Sequence, residues 1–255
     1  MIDLHCHVLP GIDDGPVTID ESLALARAAA AGGIETIVAT PHASARYPNR
    51  ATTITRLVAE LDARLLEEAI PVDLRKGAEI ALTHVPELDP VELAALRLGD
   101  GPWLLLEPPF AEVVVGIDRT VAQLQEEGHR VVLAHPERCP SFHREPALLR
   151  ALVRDGALTS ITAGSLVGRF GKTVRSFANQ LVDEQLVHNV ASDAHGPHHR
   201  APGIAAELGQ AGLEPLSQWL TEHVPQAILA GADIPPRPST NSATRRWWRR
   251  AHRRG

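Results

Sequence analysis

MIDLHCHVLPGIDDG, residues 1–15, decides how the rest of the chain is read. Residues 2–7 have the composition of a short strand. Side chains in a strand repeat every second residue, so His5 and His7 share one face and Cys6 points to the other, into packing. A glycine-bounded turn then presents Asp13 and Asp14. Two imidazoles and a carboxylate on one strand and its exit loop form the start of a metal cage. The plainer alternative is an edge strand that carries two polar residues.

Outward from that stretch, strands and helices alternate. Thr18 and Glu21 have capping-box spacing, and the Ala/Leu-rich run behind them stops at Gly32-Gly33. Further strands are expected over 34–39, 72–80, 103–106, 130–134, 158–162 and 187–191. Helices are expected over 53–69, 87–98, 119–127, 145–154, 172–184, 202–210 and 215–229, with residues 43–49 as loop. Regular strand–helix alternation argues a parallel sheet with helices outside it. Seven such units predict a closed (β/α)7 barrel in a single domain, with an open doubly wound sheet as the alternative.

Composition is that of a soluble enzyme. The chain has 255 residues, of which 44% are hydrophobic, 22% charged and 4% aromatic, with a net charge of -6. The core is therefore expected to be aliphatic. Two cysteines, Cys6 and Cys139, do not make a disulfide framework. Met1 leads straight into the first strand, and no apolar run reaches membrane-spanning length. The expected location is the cytoplasm. The acidic balance offers little of the basic track that nucleic acid needs. The body is expected over 1–234. Residues 235–255 read as a Pro-rich linker followed by TRRWWRRAHRRG at 244–255. That tail is either a solvated basic end or a contact for anionic lipid at the inner face of the membrane, for nucleic acid or an acidic partner, or for a second copy of the chain.

The polar residues that need explaining sit just beyond strand ends: His5, His7, Asp14, His42, Glu79, Glu107, His135, Asp193 and His195. The C-terminal strand ends of a parallel barrel converge on one rim, where active sites form. Singly, a His is more often a satisfied core residue and a Glu a solvated one. Together, five imidazoles and four carboxylates suit Mn, Fe or Zn. They exceed what one tetrahedral zinc requires and favour two or three ions, with a carboxylate such as Glu79 bridging. Arg138 follows His135 by three residues, and Arg200 follows His195 by five; guanidinium forks there suit phosphate oxygens. Cys139 is followed by Pro140, not by the string of backbone donors that a thiolate phosphatase loop needs.

Taken as motifs, these residues resemble the PHP (polymerase and histidinol phosphatase) superfamily. Within it they are most similar to the bacterial manganese-dependent protein tyrosine phosphatases of the capsule and exopolysaccharide regulatory type. The resemblance rests on DLHCHVLPGIDDGP with Glu21-Ser22, ATPH at 39–42, KGAEI at 76–80, LLLEPP at 104–109, AHPER at 134–138, TAGSLVGRFG at 162–171 and ASDAH at 191–195. It runs in family order through about residue 230. It departs at Ser160, where the family often carries Gln, and over 43–50.

The resemblance implies a distorted seven-stranded barrel with three divalent ions, Mn in the first place. One ion would take His5, His7, Glu79 and Asp193, a second Glu79, Glu107 and His135, and a third Asp14, His42 and His195. Asp13 would orient a ligand or the loop, and Arg138 and Arg200 would bind phosphate. The implied substrate is a phosphotyrosine protein, a bacterial tyrosine kinase controlling exopolysaccharide synthesis. The alternatives are a small-metabolite phosphatase of the histidinol-phosphate kind, a PHP nuclease, and a non-catalytic metal-binding scaffold.

Overall fold

A computed structural model gives the structure of residues 1–239. Its strands are β1 Ile2–Cys6, β2 Thr36–Ala39, β3 His42–Ala43, β4 Asp73–Lys76, β5 Glu79–Ala81, β6 Trp103–Glu107, β7 Arg130–Ala134, β8 Leu158–Thr162 and β9 Asn189–Ala191. All pair in parallel, in a three-stranded sheet β1-β2-β4 and a six-stranded sheet β3-β5-β6-β7-β8-β9. The sheets are two parts of one ring. β3 continues the line of β2 after Thr40-Pro41, and β5 that of β4 after Gly77-Ala78. At the other end, Cys6 bridges to Ala194 in parallel, and the His7 amide donates to the Ala194 carbonyl at 2.9 Å. Seven strand positions therefore close on themselves as a distorted barrel, and the open sheet is excluded.

The two breaks have local causes. Pro41 cannot donate to a ladder. At Gly77 a Cβ would stand 3.0 Å from Leu98 Cδ2 and from Val38 Cγ1, so that position packs too closely for a side chain. The expected strand over 72–80 is thus two strands, and the expected loop over 43–49 begins inside β3. The pairing also does chemical work. His42 lies opposite Glu79, and Ala81 opposite Glu107, so proposed ligands on three strands arrive side by side.

The helices are α1 Ile19–Ala31, α2 Ala51–Glu67, α3 Pro90–Ala95, α4 Ile117–Glu126, α5 Pro140–Arg144, α6 Pro146–Arg154, α7 Ala163–Val167, α8 Lys172–Asp183, α9 Ala205–Gln210, α10 Glu214–Gln218 and α11 Val224–Ala230. The capping box of α1 is formed: Thr18 Oγ1 accepts from the Glu21 amide, and Glu21 Oε2 accepts from the Thr18 amide at 3.2 Å. α2 turns Ile54, Leu61 and Leu65 inward, a helical spacing that buries one face. Each such side chain contributes roughly 1.5–3 kcal/mol through removal from water. The expected helix over 87–98 forms as the shorter α3, preceded by a 3-10 turn, Leu82–Glu87. Pro86 lies within that turn, and Asp89 caps α3 by accepting from the Glu92 amide. The core is aliphatic, running from Leu4, Ile37 and Val38 through Leu104–Leu106 to Val190.

No helix among the described residues is long and apolar enough to cross a membrane. The start of the expected linker lies against the body. Trp219 Nε1 donates to the Pro235 carbonyl at 3.0 Å, and the Arg237 guanidinium donates to the Val187 carbonyl at 3.0 Å. The basic Arg/Trp tail at 244–255 lies outside the described residues.

Candidate metal centre

The barrel brings the nine candidate ligands to one rim. Donor atoms fall into four overlapping groups, each within 4.8 Å: His7, Asp14, His42 and His195; His5, His7 and Asp193; His5, Glu79 and His135; His42, Glu79 and Glu107. Compared with the sets implied by the resemblance, His7 also reaches the Asp14 group. His135 is nearer to Glu79, at 2.7 Å, than to Glu107, at 3.8 Å.

Glu79 is the hub. It is 1% exposed. Its Oε1 lies 2.7 Å from His135 Nε2 and 3.3 Å from His5 Nε2. Its Oε2 lies 3.0 Å from His42 Nδ1 and 3.3 Å from His7 Nε2, yet makes no hydrogen bond. His5 Nε2 and His7 Nε2 face each other at 3.2 Å. His7 is oriented from behind, with Nδ1 2.7 Å from Asp13 Oδ2. Asp13 also accepts from the amides of Gly15 and His42, which ties the GIDDG loop to β3. With Nδ1 committed to Asp13, His7 turns its Nε2 toward Glu79, His5 and Asp193. Imidazole nitrogens and carboxylate oxygens crowd together here in burial, an arrangement that a cation completes. The residues therefore fit a metal cluster.

Electrostatics point the same way. Burial disfavours charge on His7, but Asp13 and Glu79 outweigh it and lift the imidazole to about 10. Burial also opposes ionisation of Glu79, yet the imidazoles of His5 and His135 hold it well below the usual carboxylate range. Burial, then repulsion from Glu79, raises Glu107 to about 7. Burial, then His7, lowers His195 to about 3. The centre is built to hold positive charge.

Both arginines converge on Asp193. Arg138 Nη1 donates to Asp193 Oδ2 at 2.5 Å, and Arg200 Nη2 donates to the same oxygen. Asp193 Oδ1 remains turned to His5 at 3.5 Å and His7 at 3.6 Å. Arg200 Nη1 also lies 2.9 Å from His195 Nε2. His135, Asp193 and Arg200 adopt positive φ of 30°, 51° and 52°. Such backbone costs about 1–3 kcal/mol each and persists where the surroundings enforce it.

Several contributors were not singled out from the sequence. Asp3 is fully buried and accepts from the Ser192 amide at 2.9 Å and from the Ser192 hydroxyl, so it sets the loop that carries Asp193. The signal was present, since Asp3, His5 and His7 share one two-residue period. Glu137, fully buried, accepts from the Thr162 amide at 2.9 Å and from Ser165 Oγ at 2.7 Å. Tyr47 stacks on His42, and Phe110 on His135, each at 5.5 Å. Cys6 is packed in the core. Cys139 is 1% exposed, with its Sγ on the Pro109 carbonyl and Ser141. His198 and His199 are exposed, and His199 lines a cavity of about 320 Å³ beside Asp193 and Arg200.

A family model described as capsular polysaccharide synthesis, CpsB/CapC, matches residues 1–211. The tyrosine-protein phosphatase YwqE of Bacillus subtilis is 41% identical over 246 residues, 93% of this chain and 96% of that protein. The putative tyrosine-protein phosphatase CapC of Staphylococcus aureus is 33% identical, over 78% of this chain and 79% of that one. Among solved structures, one described as YwqE from Bacillus subtilis and CpsB from Streptococcus pneumoniae, "unique metal-dependent tyrosine phosphatases", superposes with a TM-score of 0.81. It is 35% identical and is covered in full by 94% of this chain. A dihydropyrimidinase from Brevibacillus agri, 12% identical with a TM-score of 0.51 over 90% of this chain and 70% of that one, shares the barrel alone.

Proposed function

This chain belongs to the CpsB/CapC family of capsular polysaccharide synthesis proteins, and from that premise we propose that it is a metal-dependent protein tyrosine phosphatase. The observation that carries the proposal is Glu79, a buried carboxylate ringed by His5, His7, His42 and His135. Asp193, which faces the same histidines, carries Arg138 and Arg200, in a chain matched to YwqE along nearly all of its length.

In this reading His5, His7, Asp14, His42, Glu79, Glu107, His135, Asp193 and His195 hold three divalent ions. We assign them to Mn, with Fe or Zn as the other ions that the donor set accepts. Such ions supply Lewis acidity toward water and phosphoryl oxygens. The chain's own residues do the rest. Asp193 Oδ2 fixes both guanidinia on one side of the centre, and their remaining N–H groups present a bidentate face to a phosphoryl group. That contact strengthens as negative charge shifts among the phosphoryl oxygens in the transition state. Asp13 holds the His7 ring at Nδ1, so this ligand is not reoriented during turnover. Neither Cys6 nor Cys139 faces the centre, so no thiolate intermediate is involved.

The substrate in this proposal is phosphotyrosine on a bacterial tyrosine kinase that controls exopolysaccharide synthesis, met in the cytoplasm. The test is a panel on the Mn-loaded protein: a phosphotyrosine peptide, histidinol phosphate and an oligonucleotide. Highest kcat/KM on the peptide is expected. Preference for histidinol phosphate or the oligonucleotide would move the chain to a different PHP activity.

A further inference from the structure

We infer that Phe110 is a specificity-determining residue, whose exposed ring is the platform for the aryl group of the leaving oxygen and makes the site favour aryl over alkyl phosphomonoesters. The inference rests on the phosphomonoesterase reading above.

Aromatic side chains are scarce in this chain, with four Phe, four Trp and one Tyr in 255 residues. Yet Phe110 stands at the rim of the centre with 51% of its surface exposed. Its ring stacks on His135 at 5.5 Å and 22°. The Arg138 guanidinium lies over the same ring, 5.2 Å from its centroid. The ring is held in place from below. Pro108 and Pro109 precede it, and the Pro109 carbonyl accepts from the Ala111 amide at 2.7 Å and from Cys139 Sγ at 3.4 Å. The loop after β6 is thereby fastened to the loop that carries His135 and Arg138.

Arg138 does not need Phe110 as a support. Its guanidinium is already fixed by Asp193 and packed on Phe170 at 4.6 Å. What Phe110 adds is an apolar face next to a phosphate-binding guanidinium. A phosphoryl group gripped by Arg138 leaves its ester substituent one bond away from that face. A phenyl group reaches the ring in offset or edge-to-face contact. A seryl substituent has only a methylene before the peptide backbone and brings no ring to that face. The aryl selectivity then comes from ring contact and buried area, worth about tenfold in affinity.

The test measures binding of phenylphosphonate and methylphosphonate to the Mn-loaded protein by calorimetry, for wild type, Phe110→Ala and Phe110→Tyr. Kinetics on one peptide carrying phosphotyrosine or phosphoserine run in parallel. Wild type should favour the phenyl compound, Phe110→Tyr should keep the preference, and Phe110→Ala should reduce it about tenfold by weakening phenylphosphonate. Equal weakening of both phosphonates would make Phe110 a mere prop for Arg138 and overturn the inference. An unchanged preference in Phe110→Ala would overturn it as well. A wild-type protein that binds neither phosphonate removes the phosphomonoesterase reading, and the platform with it.

Discussion

The Arg138 guanidinium donates to Asp193 Oδ2 at 2.5 Å, on the same oxygen that receives Arg200. Two cations on one carboxylate oxygen make the three residues a unit. Burial opposes charge on Asp193, but His5, His135 and the two arginines keep it ionised. Arg138→Ala and Arg200→Ala should each lower kcat/KM on a phosphotyrosine peptide by about 10²-fold or more while metal content holds. Lys at either site should restore only part, since it brings charge without the fork. The double variant should lose less than the product of the single losses, because the arginines share an anchor. Near-wild-type kinetics in both Ala variants would leave them as structural partners of Asp193.

Nine convergent donors predict more than one divalent ion per chain. Elemental analysis after reloading with Mn should count three, and a count of one or none would end the three-ion assignment. Chelator should also lower Tm, because ions that bind the folded chain alone stabilise it by mass action.

How far the sequence carried can be judged at particular residues. The convergence of the nine candidate donors was legible because chemistry at the ends of parallel strands repeats a pattern that composition does not supply by chance. The barrel followed from the alternation, and its closure is the pairing of Cys6 with Ala194 across nearly the whole chain. The breaks at Pro41 and Gly77 were harder to read. A β-rich run looks continuous in sequence, and only packing against Leu98 and Val38 shows that Gly77 has no room for a side chain. Glu137 was invisible for another reason, since its partners Thr162 and Ser165 lie more than twenty residues away.

Cysteine chemistry gives a direct contrast. Burial, followed by the charge of Asp3, pushes the Cys6 thiol well above its usual range, which makes it a poor nucleophile. Replacing Cys6 and Cys139 with Ser should leave most turnover intact, whereas EDTA should abolish it. An enzyme that resists EDTA and depends on thiols would reverse the mechanism.

His188 gives a pH dependence outside the candidate metal ligands. Burial, and then the positive charge of Arg237, lower its imidazole to about 4. Its Nδ1 accepts from the Thr159 amide at 3.2 Å, a bond that needs the neutral ring. The unfolded chain binds this proton near pH 6.5 and the folded chain does not. The unfolded state therefore holds more protons between pH 6.5 and about 4. Its contribution is complete above pH 6.5 and is lost as pH falls through that window, to a total of up to about 3 kcal/mol. His188→Asn should flatten that part of the profile relative to wild type. The check is urea unfolding at pH 4.5 to 7.5, and parallel profiles would assign the acid loss elsewhere.

Glu137 tests whether the phosphate-binding loop is held from behind. Its Oε1 accepts from Thr162 and Ser165, at the turn where β8 passes into α7, and the next residue in the chain is Arg138. The carboxylate thus couples the strand end to the arginine without touching substrate. Glu137→Gln keeps one acceptor and the shape, so it should fold well and cost turnover only a few-fold. Glu137→Ala leaves the Thr162 amide and Ser165 hydroxyl buried without a partner, at about 1–3 kcal/mol each. It should also let Arg138 wander, raising KM and weakening inhibition by inorganic phosphate while metal content stays near wild type. A residue that serves stability alone would lower Tm without moving the phosphate inhibition constant. Measuring both on the same Ala preparation separates the two roles, and a Tm loss with an unchanged inhibition constant would release Glu137 from any part in phosphate binding.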